Sequence, residues 1–363
     1  MPIIVWMYQY RQDIKARTAT QMFTFRRDGD SNEAAESQVL PMFVIVSLSA
    51  LGISTVTGFF TNFFIIVVHG KDRLKGKNTN PRELILFTLG LFNTAFQCTM
   101  VANDSLLFLW SDVYFLDNVY TSFSVLLLFT IFSSFWFMFC LCGFYYLMLV
   151  TYEQTFFMRL KQSISDVVHR MLFISVFISL IISIPVAWNI KKEEYSVQID
   201  GNLTGNSTIQ YGTPHMSLQY LLVASIIGCC VPLILVAIAN IFIIRYLFVH
   251  IKQLKKSATA MGVQSIEASV SAACTVTSLL ILYVTFYVSE TLLILDIFKV
   301  DSPWISGCLV TVYSYGPIQS LILILGSPNL RQLIRQWLCS INVTIMPSGF
   351  RTDTSSSVSI LTM

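Results

Sequence analysis

Seven stretches of predominantly apolar residues dominate this chain, each long enough to cross a bilayer as a helix. They run over Pro41–His69, Leu84–Trp110, Tyr120–Tyr152, Val168–Ile190, Leu218–Phe248, Ala268–Ile297 and Pro303–Gly326. About 20 apolar residues suffice for one crossing. Hydrocarbon offers no partner to backbone N–H and C=O groups, so each stretch must satisfy its own by forming a helix. The expected fold is an all-α membrane protein, a seven-transmembrane helix bundle. Composition agrees, since 55% of residues are hydrophobic and only 12% charged, too few charges for a hydrated globular surface. Pro185, Pro232 and Pro317 fall inside these stretches and predict local breaks in the helical bonding.

Orientation follows from Lys and Arg. One side holds Lys71, Arg73, Lys75, Lys77, Arg82, Arg159, Lys161, Arg170, Arg245, Lys252, Lys255, Lys256, Arg331, Arg335 and Arg351, whereas the short loops opposite contribute only Lys191, Lys192 and Lys299. The positive-inside rule then places the N-terminus outside and the C-terminus in the cytosol of a multi-pass plasma-membrane protein. The sequons Asn202-Leu203-Thr204 and Asn206-Ser207-Thr208 fall in the fourth-to-fifth connection, on the side this rule puts outside, so Asn202 and Asn206 are the glycosylation candidates. The domain reading is residues 1–40 as a disordered extracellular extension, 41–326 as the bundle, 327–340 as an amphipathic cytoplasmic helix and 341–363 as a tail. For the extension the alternative is a start site upstream of the true one, with Met42 as candidate start. Cys339, beside Arg331 and Arg335, is either a palmitoylation site or part of a plain amphipathic anchor.

Several function classes are disfavoured. There is no H-E-x-x-H, no G-x-S-x-G and no phosphate-cradling glycine loop, and the cysteine spacings match no metal framework. No enzymatic activity, cofactor or metal is expected. The net charge of +3 reflects the asymmetry across the membrane rather than any affinity for nucleic acid; the expected non-protein partner is the lipid bilayer. An odd number of spans without an internal repeat argues against transporters built from paired halves.

Four regions carry a resemblance. The first span reads Gly58-Phe59-Phe60-Thr61-Asn62-Phe63-Phe64-Ile65. The third offers Phe135-Trp136-Phe137, Leu141-Cys142 and Phe144-Tyr145-Tyr146-Leu147, followed by Phe156 to Lys161. The sixth reads Ala272-Ala273-Cys274-Thr275-Val276-Thr277-Ser278-Leu279-Leu280-Ile281-Leu282-Tyr283. The seventh, Ser314 to Leu330, ends in Leu323-Ile324-Leu325-Gly326-Ser327-Pro328-Asn329-Leu330 and lacks N-P-x-x-Y. Taken in order, over about residues 43 to 340, these resemble the type 2 (bitter) taste receptors, a G-protein-coupled family. Departures mark a divergent copy, similar to a fish or amphibian member. The family's second-span Arg and Trp correspond to Asn93 and Cys98, which leaves at best an amide pair between Asn62 and Asn93. The seventh-span Pro and His correspond to Gly316 and Gln319, with Pro317 displaced by one. As is usual in that family, no cysteine stands in the second outer loop to bind the third helix.

The resemblance implies a small-molecule agonist, bound in the outer half of the bundle, and a gustducin-like heterotrimeric G protein. Carried over by position, the ligand-binding candidates are Leu127, Ile131, Phe286, Glu290 and Leu309. Their polar counterparts in relatives are missing, so the expected pocket is apolar. Glu290 lies one turn beyond Phe286 on the same helix face, as either a ligand contact or an interfacial carboxylate meeting water. Asp104, a further ligand-binding candidate, is expected at the interface. Phe144, Tyr145, Lys252, Lys255 and Lys256 are the candidates for G-protein coupling, against core packing for the aromatics and headgroup attraction for the lysines. A vomeronasal type 1-like or other chemosensory receptor is the nearest alternative, and a channel or transporter the more distant one.

Overall fold

The computed structural model describes residues 42–74, 80–114, 116–149, 163–199, 207–254, 260–295, 297–298 and 302–345. Seven helices among them are long and apolar enough to cross a membrane. They are α1 (Met42–Leu74), α2 (Pro81–Leu109), α3 (Asp117–Leu149), α4 (Ile164–Ser183), α5, α6 (Ala260–Ile294) and α7 (Pro303–Gly326). α5 comprises Leu218–Ser225, a π turn at Ile226–Cys230 and Val231–Leu254. An eighth helix, α8, covers Pro328–Ile345, running past the end expected at residue 340. A single helical turn, Ser111–Tyr114, bridges α2 and α3.

The fourth-to-fifth connection is more ordered than its polar sequence suggests. Strands β1 (Ile190–Ile199) and β2 (Ser207–Met216) form an antiparallel hairpin, pairing from Ile190 with Met216 to Ile199 with Ser207. Its base is fixed where Ser217 N–H donates to Asn189 O at 2.9 Å. The bundle thus has a hairpin end and an α8 end. Asn202 and Asn206 lie outside the described residues.

Two of the three expected proline breaks appear, at Pro185 and beside Pro232. Pro185 sits in a 3₁₀ turn, Ile184–Trp188, that continues α4. Pro232 has no N–H to give to the preceding turn, and immediately before it Val231 N–H reaches back to Ile226 O, widening the helix into the π turn. Gly228 makes this possible: a Cβ there would lie 2.3 Å from the Phe132 ring of α3. Pro317 stays within α7, buried. The helix starts follow capping rules. Asn80 accepts from Arg82 N–H ahead of Pro81, and Ser302 accepts from Trp304 N–H ahead of Pro303.

Lipid is as apolar as the core, so burying leucines does not by itself drive these helices together; close packing and polar contacts do. The exterior is accordingly apolar, with Phe60, Phe63, Phe173, Phe177 and Ile241 exposed. The interior centres on α3, where most side chains from Leu127 to Tyr145 are buried. α4 turns a stripe of Ser175, Ser179 and Ser183 inward, each hydroxyl donating to the carbonyl four residues earlier, and Ser175 Oγ lies 3.3 Å from Cys140 Sγ of α3. The seven cysteines whose side chains are described are all free thiols.

Candidate functional site

Polar side chains inside the bundle gather in separate layers, because each needs a partner that lipid cannot supply. Nearest the hairpin, Asp104 of α2 is 2% exposed, not interfacial as expected. One carboxylate oxygen accepts from Asn103 Nδ2 at 2.9 Å and the other from Tyr313 Oη of α7 at 3.1 Å. Asn103 Oδ1 in turn accepts from Tyr114 Oη at 2.8 Å. Burial, with the nearby Tyr120 and Asp104, pushes the Tyr114 phenol well above its usual range, so it serves as a neutral donor. The burial of Asp104, a ligand-binding candidate, was not expected because hydropathy places it near a helix end, whereas Tyr114 of the turn Ser111–Tyr114 reaches back to its neighbour Asn103.

Beside and below this layer lies an apolar floor. Leu127 and Ile131 of α3, Phe286 of α6 and Leu309 of α7 are all buried, and the Phe286 ring is 4.5 Å from Tyr315 and 6.0 Å from Phe135. Glu290 is half-buried one turn further along α6.

The next layer was missed as a unit by the sequence reading. Ser134 Oγ of α3 lies 2.7 Å from Tyr315 Oη and 3.2 Å from Tyr283 Oη, while Gln319 Nε2 of α7 donates to Tyr283 Oη at 2.6 Å. Tyr283 Oη also donates to the Ser134 carbonyl at 3.0 Å. These four side chains join α3, α6 and α7. The signal was Gln319, an amide deep in an apolar run that demands polar neighbours.

Beside it, Asn93 Nδ2 donates to Asn62 Oδ1 at 3.3 Å, and Asn62 Nδ2 to Gly58 O at 2.9 Å. Gly58 permits α1 to approach α7, since a Cβ there would be 3.2 Å from the Pro317 ring. Thr61 Oγ1 and Ser320 Oγ, 2.6 Å apart, extend the same seam. Asn62, Asn93 and Pro317 are thus brought together along α1, α2 and α7.

At the α8 end, Phe144 and Tyr145 are buried and stacked edge to face, 5.8 Å between centroids. The second helix starts at Pro81 rather than Leu84, carrying Arg82 into the bundle, where its guanidinium lies 5.6 Å from the Tyr145 ring centre. Lys252 belongs to the last turn of α5, and Cys339 to α8, with side chains outside the description; Lys255 and Lys256 lie outside the described residues. Among the described residues no cluster of His, Cys, Asp or Glu could hold a metal.

A family model, Taste receptor protein (TAS2R), matches residues 37–342. The chain is 28% identical to taste receptor type 2 member 40 of Gallus gallus over 288 residues, covering 79% of this chain and 92% of that protein. It is 26% identical to member 39 of Papio hamadryas over 307 residues, 84% and 89% of the two chains, and 28% identical to member 119 of Rattus norvegicus over 309 residues, 84% and 86%. A family match across the whole bundle, together with seven apolar helices, establishes that the chain belongs to the type 2 taste receptors, as a multi-pass plasma-membrane chemosensory receptor of the G-protein-coupled class and not an enzyme.

Proposed function

We propose that the chain is a receptor for bitter compounds that binds them at the hairpin end and activates a gustducin-like heterotrimeric G protein from the α8 end. The hairpin end faces outward and the α8 end the cytosol, which puts Asn202 and Asn206 where glycans are added and the Lys-rich and Arg-rich connections inside. Leu127, Ile131, Phe286 and Leu309 form the apolar floor of the ligand site, with Asp104 and Glu290 as its polar handles. Phe144, Tyr145, Lys252, Lys255 and Lys256 serve coupling.

The observation that carries this reading is the burial of Asp104 and its bond to Tyr313 of α7, with Glu290 half-buried at the same end of the bundle and apolar side chains beside them. Both partners of Asp104 are neutral donors, and among the described residues no Lys, Arg or His pairs with it. A carboxylate held so deep in a low-dielectric bundle is costly unless protonated or met by a cation. Cationic amphiphiles, with a flat apolar body for the floor and an ammonium for the acids, fit that chemistry. Binding acts at a distance by favouring one packing of α7 against α2, α3 and α6 over another.

The test is a calcium assay in cells expressing the receptor with a chimeric G protein, challenged with matched cationic and neutral bitter compounds. Responses to cationic compounds that Asp104→Asn selectively weakens are expected. Silence across the panel from receptor verified at the surface would reject the bitter-ligand reading.

A further inference from the structure

Arg82 occupies an unlikely place for a cation. It is the second residue of α2, behind the Asn80 cap and Pro81, where the positive end of that helix's dipole repels it. Its compensation lies elsewhere in the bundle. Arg82 Nη2 donates at 3.2 Å to the carbonyl of Gly326, the last residue of α7, where the dipole of that helix is negative and a backbone acceptor has no intrahelical partner. The guanidinium also lies over the Tyr145 ring of α3. Gly326 itself is held against α6: a Cβ there would come within 2.1 Å of Thr275 Oγ1. Four helices, α2, α3, α6 and α7, therefore meet around one carbonyl. The contact is incomplete, since Arg82 Nε is buried and without a hydrogen-bond partner among the described residues. An unmatched donor in a buried site favours any rearrangement that supplies it with an acceptor.

We propose that Arg82 is a positioning residue that holds the α8 end of the bundle closed, capping α7 while lying on Tyr145, and that it must let go of Gly326 for Phe144 and Tyr145 to become accessible. Movement of α6 away from α7 removes Thr275 from Gly326 and loosens the carbonyl that Arg82 caps, so that the clasp and the helix separation are one event. The inference rests on the α8 end being the coupling face.

The test needs no agonist. Wild type, Arg82→Ala, Arg82→Lys and Tyr145→Leu are expressed with a chimeric G protein, and ligand-independent signal is divided by receptor counted at the surface. The same purified receptors are followed by amide hydrogen exchange. Arg82→Ala is expected to raise basal signal per receptor about tenfold, through loss of a charged hydrogen bond and a cation–π contact, and to speed exchange in the α8-end turns of α6 and α7 while leaving the hairpin-end turns unchanged. Arg82→Lys keeps the charge but not the flat face, so an intermediate effect is expected. Tyr145→Leu should speed the same exchange, which is its readout because Tyr145 also serves coupling, and these two variants decide the matter by exchange if Arg82→Ala does not reach the surface. Unchanged exchange with unchanged or lowered basal signal overturns the clasp. Faster exchange in receptors that never signal, wild type included, supports the clasp and rejects the coupling assignment instead.

Discussion

The two ends of α2 are tied to α7 by opposite chemistry. At the hairpin end a buried acid, Asp104, is held by neutral donors from its own helix and from α7. At the α8 end a base, Arg82, is held by a backbone carbonyl of α7 and an aromatic face. The acid has both oxygens hydrogen-bonded, whereas the base keeps one buried donor unmatched among the described residues. A satisfied polar site is rigid, and an unsatisfied one is easily exchanged for a better arrangement. The hairpin end is thus the more rigid of the two, and the α8 end the readier to rearrange.

Substitutions can break this contrast from either side. The largest effect is expected at the α8 end from Gly326→Val, which drives a branched side chain into Thr275 and should cost about 3 kcal/mol as overpacking. Thermal unfolding in detergent checks it; an unchanged midpoint would mean that α6 and α7 do not touch there. At the hairpin end, Asp104→Ala strands the Tyr313 hydroxyl and the Asn103 amide and should cost about 1–3 kcal/mol, whereas Asp104→Asn retains hydrogen bonding without the charge and should leave the midpoint nearly unmoved. Equal losses from the two would show that the charge, not the hydrogen bonding, is structural. Tyr313→Phe removes only one bond, for about 0.6–1 kcal/mol, and responses to neutral agonists should survive it. The smallest effect belongs to Glu290→Gln. The side chain is half-buried, so screening limits the loss of potency for cationic agonists to about threefold. Equal shifts for cationic and neutral agonists would remove Glu290 from charge recognition.

Much of the architecture was legible because the bilayer imposes a length and a backbone rule that hydropathy reads directly. The seven helices lie where the apolar runs lie, and Pro185 and Pro232 mark irregular turns, whereas α7 runs on through Pro317. The motifs around Asn62, Tyr145, Tyr283 and Gly326 pointed to a family that the comparisons establish. Errors arose where position along a helix was mistaken for depth in the protein. Asp104 was expected at the interface because it nears the end of an apolar run, yet it is buried among protein groups, and Arg82 was counted with a loop although it lies in the first turn of α2. Ser134, Tyr283, Tyr315 and Gln319 come from three helices up to 185 residues apart, and no local pattern announces that they meet.

The hairpin Ile190–Met216 shows the same limit from another direction. A segment rich in polar residues reads as loop, yet strand pairing satisfies its backbone across the connection. The sequence alone determined the number of crossings, their order and the family, because each depends on local composition and on the need of every span to satisfy its own backbone. Only the tertiary structure decided which polar side chains find one another. A buried amide, phenol or charge takes whichever partner the packing of other helices brings within about 3 Å, and that proximity is a property of the bundle as a whole.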